Sequence, residues 1–414
     1  MCSGRILVPH PPTVLVVKPA TLLDRLPKVE DFSYRLRGPQ VTSRVGRWLG
    51  VAFAVAFLTG VWSHLQQDTP GWLSVPTRPV RLYQVTQGLH IIAGTVAVPL
   101  LLVKLWSVFP RFFQRPPRPG RALLVHLLER LSIGVLMAAA IFQLVTGLAN
   151  SSQWYPWSFS FRSTHYAVAW VAITALIVHV AVKLPVIRAA LGVPVEAAVP
   201  PDGVEEPREH EGETRSGGLT RRGLLRTTWV AAGLAALATA GASVPVLRNV
   251  SLFAVRSGEG PQGLPVNRSA DAAGVVGIAD DPDWRLEVTY QGESRTYDRD
   301  ELMAMPQSTH VLPIACVEGW SATATWTGVR MADLVTAMGA PAASDVLVTS
   351  MQRFGAFGAS LLPEDHTADP LTLLALQVNG MTLNLDHGYP CRIIAPNRPG
   401  VWQTKWVQRL EIDA

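Results

Sequence analysis

Two histidines of this chain, His165 and His179, lie fourteen residues apart within one apolar stretch, residues 165–184. Fourteen residues of α-helix rise about 21 Å and complete almost four turns, so both imidazoles project from one helix face. The stretch has about the 20 residues that cross a bilayer, and an ionisable residue inside a membrane marks a candidate functional site. The spacing therefore predicts a helix that holds two haems, one near each membrane surface. The alternative is a pair of interfacial histidines whose rings reach water.

The composition indicates that much of the chain lies in a membrane. Of its 414 residues, 48% are hydrophobic and only 16% are charged, a low charged fraction for a soluble protein. Beyond residue 248 the sequence is typical of a globular domain of roughly 160 residues, which is enough for one hydrophobic core. Before it, each of five apolar stretches has about the length of a spanning helix. They cover residues 45–63, 83–106, 127–149, 165–184 and 229–247.

The positions of lysine and arginine predict the orientation of these spans, because cytoplasmic loops are enriched in both residues. The loops on one side contain only Arg78, Arg81 and Arg162. We therefore expect a cytoplasmic N-terminus in a bacterial inner membrane and an extracytoplasmic C-terminal domain. The net charge of +5 follows from this topology, and no basic patch with interleaved aromatic residues indicates nucleic-acid binding. The loops on the other side contain Arg44, Arg47, Lys104, Arg111, Arg115, Arg118, Arg121, Lys183, Arg188, Arg221, Arg222 and Arg226.

Histidines on neighbouring spans lie at depths that match those of the first pair. A b-type haem needs two axial imidazoles from facing helices at equal depth. In the predicted topology, His90 pairs with His165 on the outer side, and His126 pairs with His179 on the inner side. His64, at the outer end of the first span, is the alternative to His90.

This four-helix unit, residues 44–188, resembles the di-haem cytochromes b that serve as membrane subunits of formate dehydrogenases and hydrogenases. In that group two ligands are spaced in the same way on one helix. The resemblance implies two haems b and exchange of electrons with quinone or quinol. This chain departs from that group at the inner end of the first span. In the group this position commonly supplies a haem ligand, whereas this chain has no histidine at the position.

Composition shifts predict five segments. Residues 1–43 are rich in proline and are interpreted as a cytoplasmic extension, and residues 44–188 form the haem-binding unit. Residues 189–219, crowded with Pro, Glu and Gly, are predicted to be a flexible cytoplasmic linker. Residues 220–250 contain the fifth span, and residues 251–414 form the outer domain.

The fifth span follows the segment Thr220-Arg221-Arg222-Gly223-Leu224-Leu225-Arg226, which resembles a twin-arginine export signal. Such signals export proteins that have already folded around a cofactor. We expect the span to remain as an uncleaved anchor that keeps the outer domain beside the haem helices.

The outer domain is predicted to have an α+β fold. Its apolar and β-branched runs, at residues 284–290, 346–350, 377–385 and 392–395, indicate strands, and residues 331–338 indicate a helix.

Cys316 is the residue of the outer domain with the clearest candidate role in chemistry. Only Cys316 and Cys391 are expected outside the cytoplasm, and two cysteines do not make a disulfide scaffold. A soft thiolate is the ligand that molybdenum or another thiophilic metal selects. By spacing alone, Cys316 would instead be a small buried hydrophobic residue. Cys391 is interpreted as a packing residue.

The segment Cys316-Val317-Glu318-Gly319-Trp320-Ser321 resembles the molybdenum-ligand segment of the sulfite-oxidase fold family, in the branch of the periplasmic methionine-sulfoxide reductase catalytic subunit. The resemblance extends over about residues 264–412. It implies that Cys316 is the catalytic metal ligand and that a molybdenum-pyranopterin is bound. The further cofactor-binding residues that it implies are Asn267, Thr349, His387, Arg392, Gln403, Thr404 and Lys405.

The chemistry of these residues agrees with the resemblance. Pyranopterin carries a phosphate, for which Arg392 and Lys405 supply charge-assisted hydrogen bonds. His387 stands where that branch has Asn, although other members of the fold also have the Asp-His-Gly found here. Sulfite oxidases follow the cysteine with Gly-Asn-Arg, whose arginine helps to bind the anion. That pattern is missing here, which disfavours sulfite as the substrate.

Together, these observations predict a membrane all-α four-helix cytochrome b bundle with a fifth anchoring helix, followed by an α+β sulfite-oxidase-like molybdopterin domain. The predicted function is reduction of a small S-oxide or N-oxide outside the cytoplasm with electrons from quinol. Two alternatives remain: oxidation of a small outer substrate with delivery of electrons to quinone, and a non-catalytic protein for electron transfer or binding.

Overall fold

The computed structural model describes residues 32, 35–114, 116–197, 219–253, 260–355 and 357–413. Within these residues, five helices are long and apolar enough to cross a membrane. Most of the predicted cytoplasmic extension and most of the predicted linker lie outside the described residues. The five helices are α1 (Pro39–Gln67), α2 (Leu82–Val108), α3 (Arg121–Ser151), α4 (Phe161–Leu191) and α5 (Arg221–Ala240).

The fifth helix lies closer to the N-terminus than the apolar stretch 229–247 predicted. Helix α5 begins at Arg221, because the Thr220 hydroxyl caps it by accepting a hydrogen bond from the Gly223 amide at 3.0 Å. It ends at Ala240, where the chain folds back so tightly that a Cβ on Gly241 would lie 2.7 Å from backbone atoms of the returning segment. The twin-arginine-like residues therefore form the first turns of the helix instead of a segment that precedes it.

Helix α2 lies at the centre of the helical unit and packs against α1, α3 and α5, while α4 packs against α1 and α3. The guanidinium of Arg44 donates to the carbonyl oxygens of Ala190 at 3.1 Å and Val193 at 2.6 Å, and so ties the end of α4 to α1. At the same end of the bundle, Lys183 forms an ion pair with Glu129 at 2.5 Å between α4 and α3. These polar contacts fix the ends of helices whose middle sections are apolar.

The outer domain contains two five-stranded sheets. The first has the order β2-β1-β10-β5-β6, in which only β1 and β10 are parallel. The second has the order β3-β4-β7-β8, with β9 also paired to β7. The strands are β1 (Leu286–Tyr290), β2 (Glu293–Tyr297), β3 (Gln307–Ala315), β4 (Ser321–Arg330), β5 (Val346–Ser350), β6 (Ala359–Leu362), β7 (Leu373–Val378), β8 (Met381–Thr382), β9 (Arg392–Ile394) and β10 (Val407–Ile412).

Short helices cover these sheets, and the mixed architecture confirms the predicted α+β domain behind a helical membrane unit. The predicted helix at 331–338 is present, and Cys391 lies fully buried in the larger hydrophobic cluster, as its interpretation as a packing residue requires. The helices are α6 (Ala270–Ala273), α7 (Val276–Ala279), α8 (Arg299–Ala304), α9 (Met331–Ala337) and α10 (Glu364–Ala368).

The single strand predicted over residues 377–385 is a hairpin instead. Strand β7 ends at Val378, and Val378 pairs with Met381 across a two-residue turn. The turn residues Asn379 and Gly380 have φ values of 50° and 76°. An Asn-Gly pair with both residues at positive φ is the preferred turn of a tight hairpin, and this local signal outweighs the apolar run on either side.

The outer domain docks on the connection between α1 and α2, residues 68–81. Arg78 donates two hydrogen bonds, of 2.6 and 3.1 Å, to the carboxylate of Asp369. The side chain of Asn397 accepts from the Tyr83 amide at 2.8 Å and donates to the Pro76 carbonyl at 2.6 Å. These contacts seat the sheet domain directly on one end of the helix bundle.

Candidate functional site

His90 on α2 and His165 on α4 face each other across the bundle, with ring centroids 6.3 Å apart. An iron held at about 2 Å by one nitrogen of each imidazole would separate the two centroids by roughly 6 Å. The Nδ1 of His90 donates to the Ala56 carbonyl at 2.8 Å, and the Nδ1 of His165 lies 2.9 Å from the Thr146 hydroxyl. Because both Nδ1 atoms are occupied, both Nε2 atoms are left for a metal, as in other histidine-metal sites.

Glycines leave room for a flat cofactor beside these rings. A Cβ placed on Gly60 would lie 2.9 Å from the His90 ring, and one on Gly147 would lie 3.7 Å from the His165 ring. Both glycines line the cavity into which the two imidazoles point. The donor set and the space therefore fit a bis-histidine haem.

His64 lines the same cavity, but its ring stacks on Tyr166 with centroids 3.6 Å apart and planes 10° from parallel. The structure thus places His90, and not His64, opposite His165.

The predicted inner pair, His126 and His179, lies on α3 and α4. The two helices run antiparallel, so Glu129 lies one turn from His126 in one direction along the bundle, and Lys183 lies one turn from His179 in the opposite direction. The ion pair between Glu129 and Lys183 therefore lies between the levels of the two histidines. Among the described residues, no ring contact joins His126 to His179. At about 1.5 Å of rise per residue, the two histidines are offset by about 10 Å along the bundle instead of lying at equal depth, and their pairing stays a prediction from the sequence.

Cys316 lies at the end of β3, where residues 316–319 make a tight turn. The Gly319 amide donates to the Cys316 carbonyl at 3.0 Å, and Gly319 has a φ of 90°, which favours glycine. The Cys316 side chain is only 2% exposed. Burial, together with the nearby Glu318 carboxylate, raises the pKa of the Cys316 thiol well above its usual range. A thiolate at this position therefore needs a cation such as a bound metal.

Two buried cations lie near this cysteine without a carboxylate partner. Arg392 donates to the carbonyl oxygens of His387 at 3.0 Å and Gln403 at 3.1 Å, and its Nε has no partner. Lys405 donates to the carbonyl oxygens of Arg268 at 2.6 Å and Asp386 at 2.8 Å. Within the described residues neither cation forms a salt bridge.

Burial lowers the pKa of Arg392 to about 9 and lowers that of Lys405 as well. Buried charges are costly unless an anion compensates them. These two cations fit the phosphate of a pyranopterin.

Asn267 lies between the two openings of the site. It lines both the main cavity, which contains Cys316, and a smaller pocket beside Arg392 and His387. His387 donates through Nε2 to the Pro261 carbonyl at 2.7 Å. Burial lowers the pKa of His387 to about 4, so its ring is neutral and acts there as a hydrogen-bonding group. The two openings share Asn267, and their linings include Cys316 in the larger one and Arg392 in the smaller one.

Gln403, Thr404 and Lys405 all line the main cavity, on the segment that leads into β10. The Thr404 hydroxyl bonds that of Ser360 at 2.6 Å, and the Gln403 amide donates to the Arg398 carbonyl at 3.1 Å. Among the residues that the structure describes, the buried Gln403 Oε1 has no partner, so it is available to a ligand.

Thr349 does not line this cavity. Strand β5 alternates, and its buried positions are Val346, Val348 and Ser350, so Thr349 projects from the opposite face. The inward residue is its neighbour Ser350, whose hydroxyl donates to the Lys405 carbonyl at 2.7 Å. Neither Thr349 nor Ser350 lines a pocket, so the structure does not bring Thr349 to the candidate site.

The structure adds Arg268 and Gln352 to the lining, along with Tyr155 from the connection between α3 and α4. The sequence offered only a weak signal for them, because none lies in the cysteine motif. Burial, with Glu318 and Cys316 nearby, raises the pKa of Tyr155 to about 12, so its hydroxyl stays protonated and can donate.

One continuous cavity of about 620 Å³ joins the two candidate sites. His90 and His165 line its membrane end, and Cys316 and Lys405 line its outer end. A haem at the first pair and a metal at Cys316 would therefore border the same cavity.

Replacing Arg392 by methionine tests the phosphate site. Each hydrogen bond to a charged group contributes about 1.5–3 kcal/mol. Arg392→Met should therefore lower the molybdenum content per purified chain about tenfold or more. Loading should raise the unfolding temperature of the parent but not of this variant. The matched control is Arg398→Met, because Arg398 is also a buried guanidinium that donates to backbone carbonyls but lines neither pocket. Equal molybdenum content in Arg392→Met and the parent would rule out the assignment.

Comparison with known proteins agrees with both halves of this site. Residues 273–414 match the family model described as the oxidoreductase molybdopterin binding domain, and residues 47–184 match that of prokaryotic cytochrome b561. The chain is thus a membrane protein that joins a cytochrome b domain to a molybdopterin-binding oxidoreductase domain. Both resemblances noted in the sequence are confirmed, and the cofactors are molybdopterin and haem b.

Curated relatives match about a third of the chain or less. The protein-methionine-sulfoxide reductase catalytic subunits MsrP of Burkholderia mallei and Ralstonia nicotianae are 29% and 28% identical, over 31% and 34% of this chain and 43% and 47% of theirs. A sulfite oxidase of Arabidopsis thaliana is 31% identical over 23% of this chain and 29% of its own. The chain therefore spans less than half the length of each of these relatives.

Proposed function

We propose that this chain is a membrane-bound molybdenum oxidoreductase that takes electrons from quinol through two haems b and reduces an S-oxide or N-oxide on the outer side. The observation that carries the proposal is the single cavity lined at one end by His90 and His165 and at the other by Cys316. It supports direct passage of electrons between the two cofactors within one chain. The name of the methionine-sulfoxide reductase relatives supports an S-oxide as substrate.

The roles of individual residues follow from their contacts. Cys316 would hold the metal, Arg392 and Lys405 would neutralise the phosphate, and Asn267 and Gln403 would orient the pterin. When bound, the molybdenum cofactor supplies two-electron oxygen-atom chemistry, and the haems supply single electrons. The protein contributes binding, orientation and the exclusion of water.

Glu318 favours a neutral substrate over an anionic one. Its carboxylate lines the cavity beside Cys316, held by the Trp320 indole at 3.0 Å and the Gln153 amide at 2.6 Å. Sulfite oxidases have a cation in their cysteine segment, whereas this chain has a carboxylate. Like charges repel each other, so a neutral S-oxide is a better candidate than sulfite.

The membrane unit would carry two haems in this proposal. His90 and His165 would bind the outer one, and His126 and His179 the inner one. The distribution of lysine and arginine supports a cytoplasmic N-terminus in the inner membrane, with five spans and the molybdenum domain outside.

Stopped-flow mixing of the purified, cofactor-loaded protein tests this direction of electron flow. A reduced short-chain quinone analogue should reduce the haems, and methionine sulfoxide should then reoxidise them. Reoxidation should be lost in Cys316→Ser and retained in Cys391→Ala, which alters only a core thiol. If sulfite reduces the haems through an intact Cys316 and no oxidised substrate reoxidises them, the direction is the reverse.

A further inference from the structure

The turn that carries Cys316 rests on the ends of the haem helices. The carbonyl oxygen of Val317 accepts two side-chain hydrogen bonds, from the Gln87 amide of α2 at 3.2 Å and the Asn150 amide of α3 at 3.0 Å. Gly319 packs so closely on α2 that a Cβ there would lie 2.6 Å from Ile91. The residues next to the proposed metal ligand are therefore held by the membrane unit.

Each of the two amides is oriented by a hydroxyl group. The Ser63 hydroxyl donates to the side-chain Oε1 of Gln87 at 3.0 Å, and the Tyr155 hydroxyl donates to the side-chain Oδ1 of Asn150 at 2.9 Å. A side-chain amide has one accepting and one donating end, and the network decides which way it points. Both NH₂ groups are thus directed at Val317, where two donors share one acceptor.

The same helix faces also hold the haem ligands. Gln87 precedes His90 by one turn of α2, and Asn150 follows Thr146, the partner of His165, by one turn of α3. Residues three or four apart share one helix face. The hydrogen bonds to Val317 are therefore built on the segments that position the two imidazoles.

We propose that Gln87 and Asn150 are positioning residues that hold the Cys316 turn at a fixed distance from the outer haem site, and so set the rate of electron transfer between the two cofactors. This inference rests on the proposed function. Its physical basis is that electron tunnelling slows exponentially with distance, while a short turn with two fewer hydrogen bonds samples a wider range of positions.

Hydrogen-deuterium exchange of the full-length chain tests the proposal without reference to activity. Gln87→Met and Asn150→Leu keep the side-chain volume approximately and remove the donor. Since one hydrogen bond is worth about 1 kcal/mol, each variant should speed amide exchange in residues 316–319 about fivefold, and the double variant more. This should hold in both cofactor-free and loaded protein.

The matched control is Gln84→Met. Gln84 is a buried amide of the same helix at the same domain contact, but it donates to the Ser321 hydroxyl at 3.0 Å and not to the turn. Exchange at residues 316–319 should stay at the parental rate in this variant. Tyr155→Phe removes only the hydroxyl that orients Asn150, and it should loosen the turn by a smaller factor if Asn150→Leu does not fold.

Electron transfer supplies the second measurement. With haem spectra and molybdenum content unchanged, the rate at which the molybdenum centre oxidises the haems should fall about tenfold or more in the double variant. Turnover with a dye that reduces molybdenum directly should be unchanged. Parental exchange in Gln87→Met and Asn150→Leu, or equal loosening in Gln84→Met, would overturn the proposal. If the variants loosen the turn but the parent protein reduces no S-oxide, the positioning role of Gln87 and Asn150 is supported and the proposed substrate is refuted.

Discussion

Cys316→Ser should abolish turnover and remove most of the bound molybdenum, while the haem spectrum remains that of the parent. A serine hydroxyl is a harder and far less acidic ligand than a thiol, so it does not replace a thiolate on a thiophilic metal. The turn itself should persist, because its backbone hydrogen bonds do not involve the sulfur. Metal analysis, the reduced-minus-oxidised haem spectrum and the rate of S-oxide reduction measure the three expectations.

Cys391→Ala is the matched control for this variant. Cys391 is also a buried cysteine of the outer domain, but it lies in the hydrophobic cluster and not in either pocket. Its loss should lower stability slightly and leave molybdenum content unchanged. Full molybdenum occupancy and full activity in Cys316→Ser would show that the assignment of the metal ligand is wrong.

His165→Ala should remove the outer haem and stop electron flow to the molybdenum domain, because no imidazole then faces His90 across the cavity. His179→Ala should instead remove the inner haem and leave the outer one largely in place. The pyridine haemochrome assay counts haem per chain, and redox titration shows which of two potentials is lost. Both variants should retain molybdenum, since neither histidine contacts Cys316 or the buried cations Arg392 and Lys405.

His64→Ala provides the control within the same cavity. Its ring stacks on Tyr166 and does not face His165, so both haems should remain. The opposite pattern, with loss of a haem in His64→Ala and retention in His90→Ala, would make His64 the ligand. A dithionite-reduced parent protein without a b-type signal would contradict the whole haem assignment.

Several features could be predicted from local sequence because their causes are local. The length of each apolar stretch sets the number of spans, and the fourteen-residue interval from His165 to His179 sets a shared helix face. The cysteine segment beginning at Cys316 identified the molybdopterin domain, which the family comparison confirms. The depth rule selected His90 as the partner of His165, and the two rings do face each other in the structure.

Other predictions failed where a neighbouring local signal was stronger. The Asn379-Gly380 turn divides a run that looked like one strand, and the Thr220 cap starts α5 before its most apolar part. Thr349 does not line the cavity, because it projects from the face of β5 opposite to the buried positions Val346, Val348 and Ser350.

The sequence by itself determined the membrane unit, the C-terminal molybdopterin domain and the chemical identity of their candidate ligands. Only the tertiary structure decided that these ligands share one cavity and that Gln87 and Asn150 hold the Cys316 turn. The physical reason is separation along the chain, because Gln87 and Asn150 lie 230 and 167 residues from Val317. Helix period and local propensity act over a few residues, whereas contacts of that range arise only when the outer domain docks on the bundle.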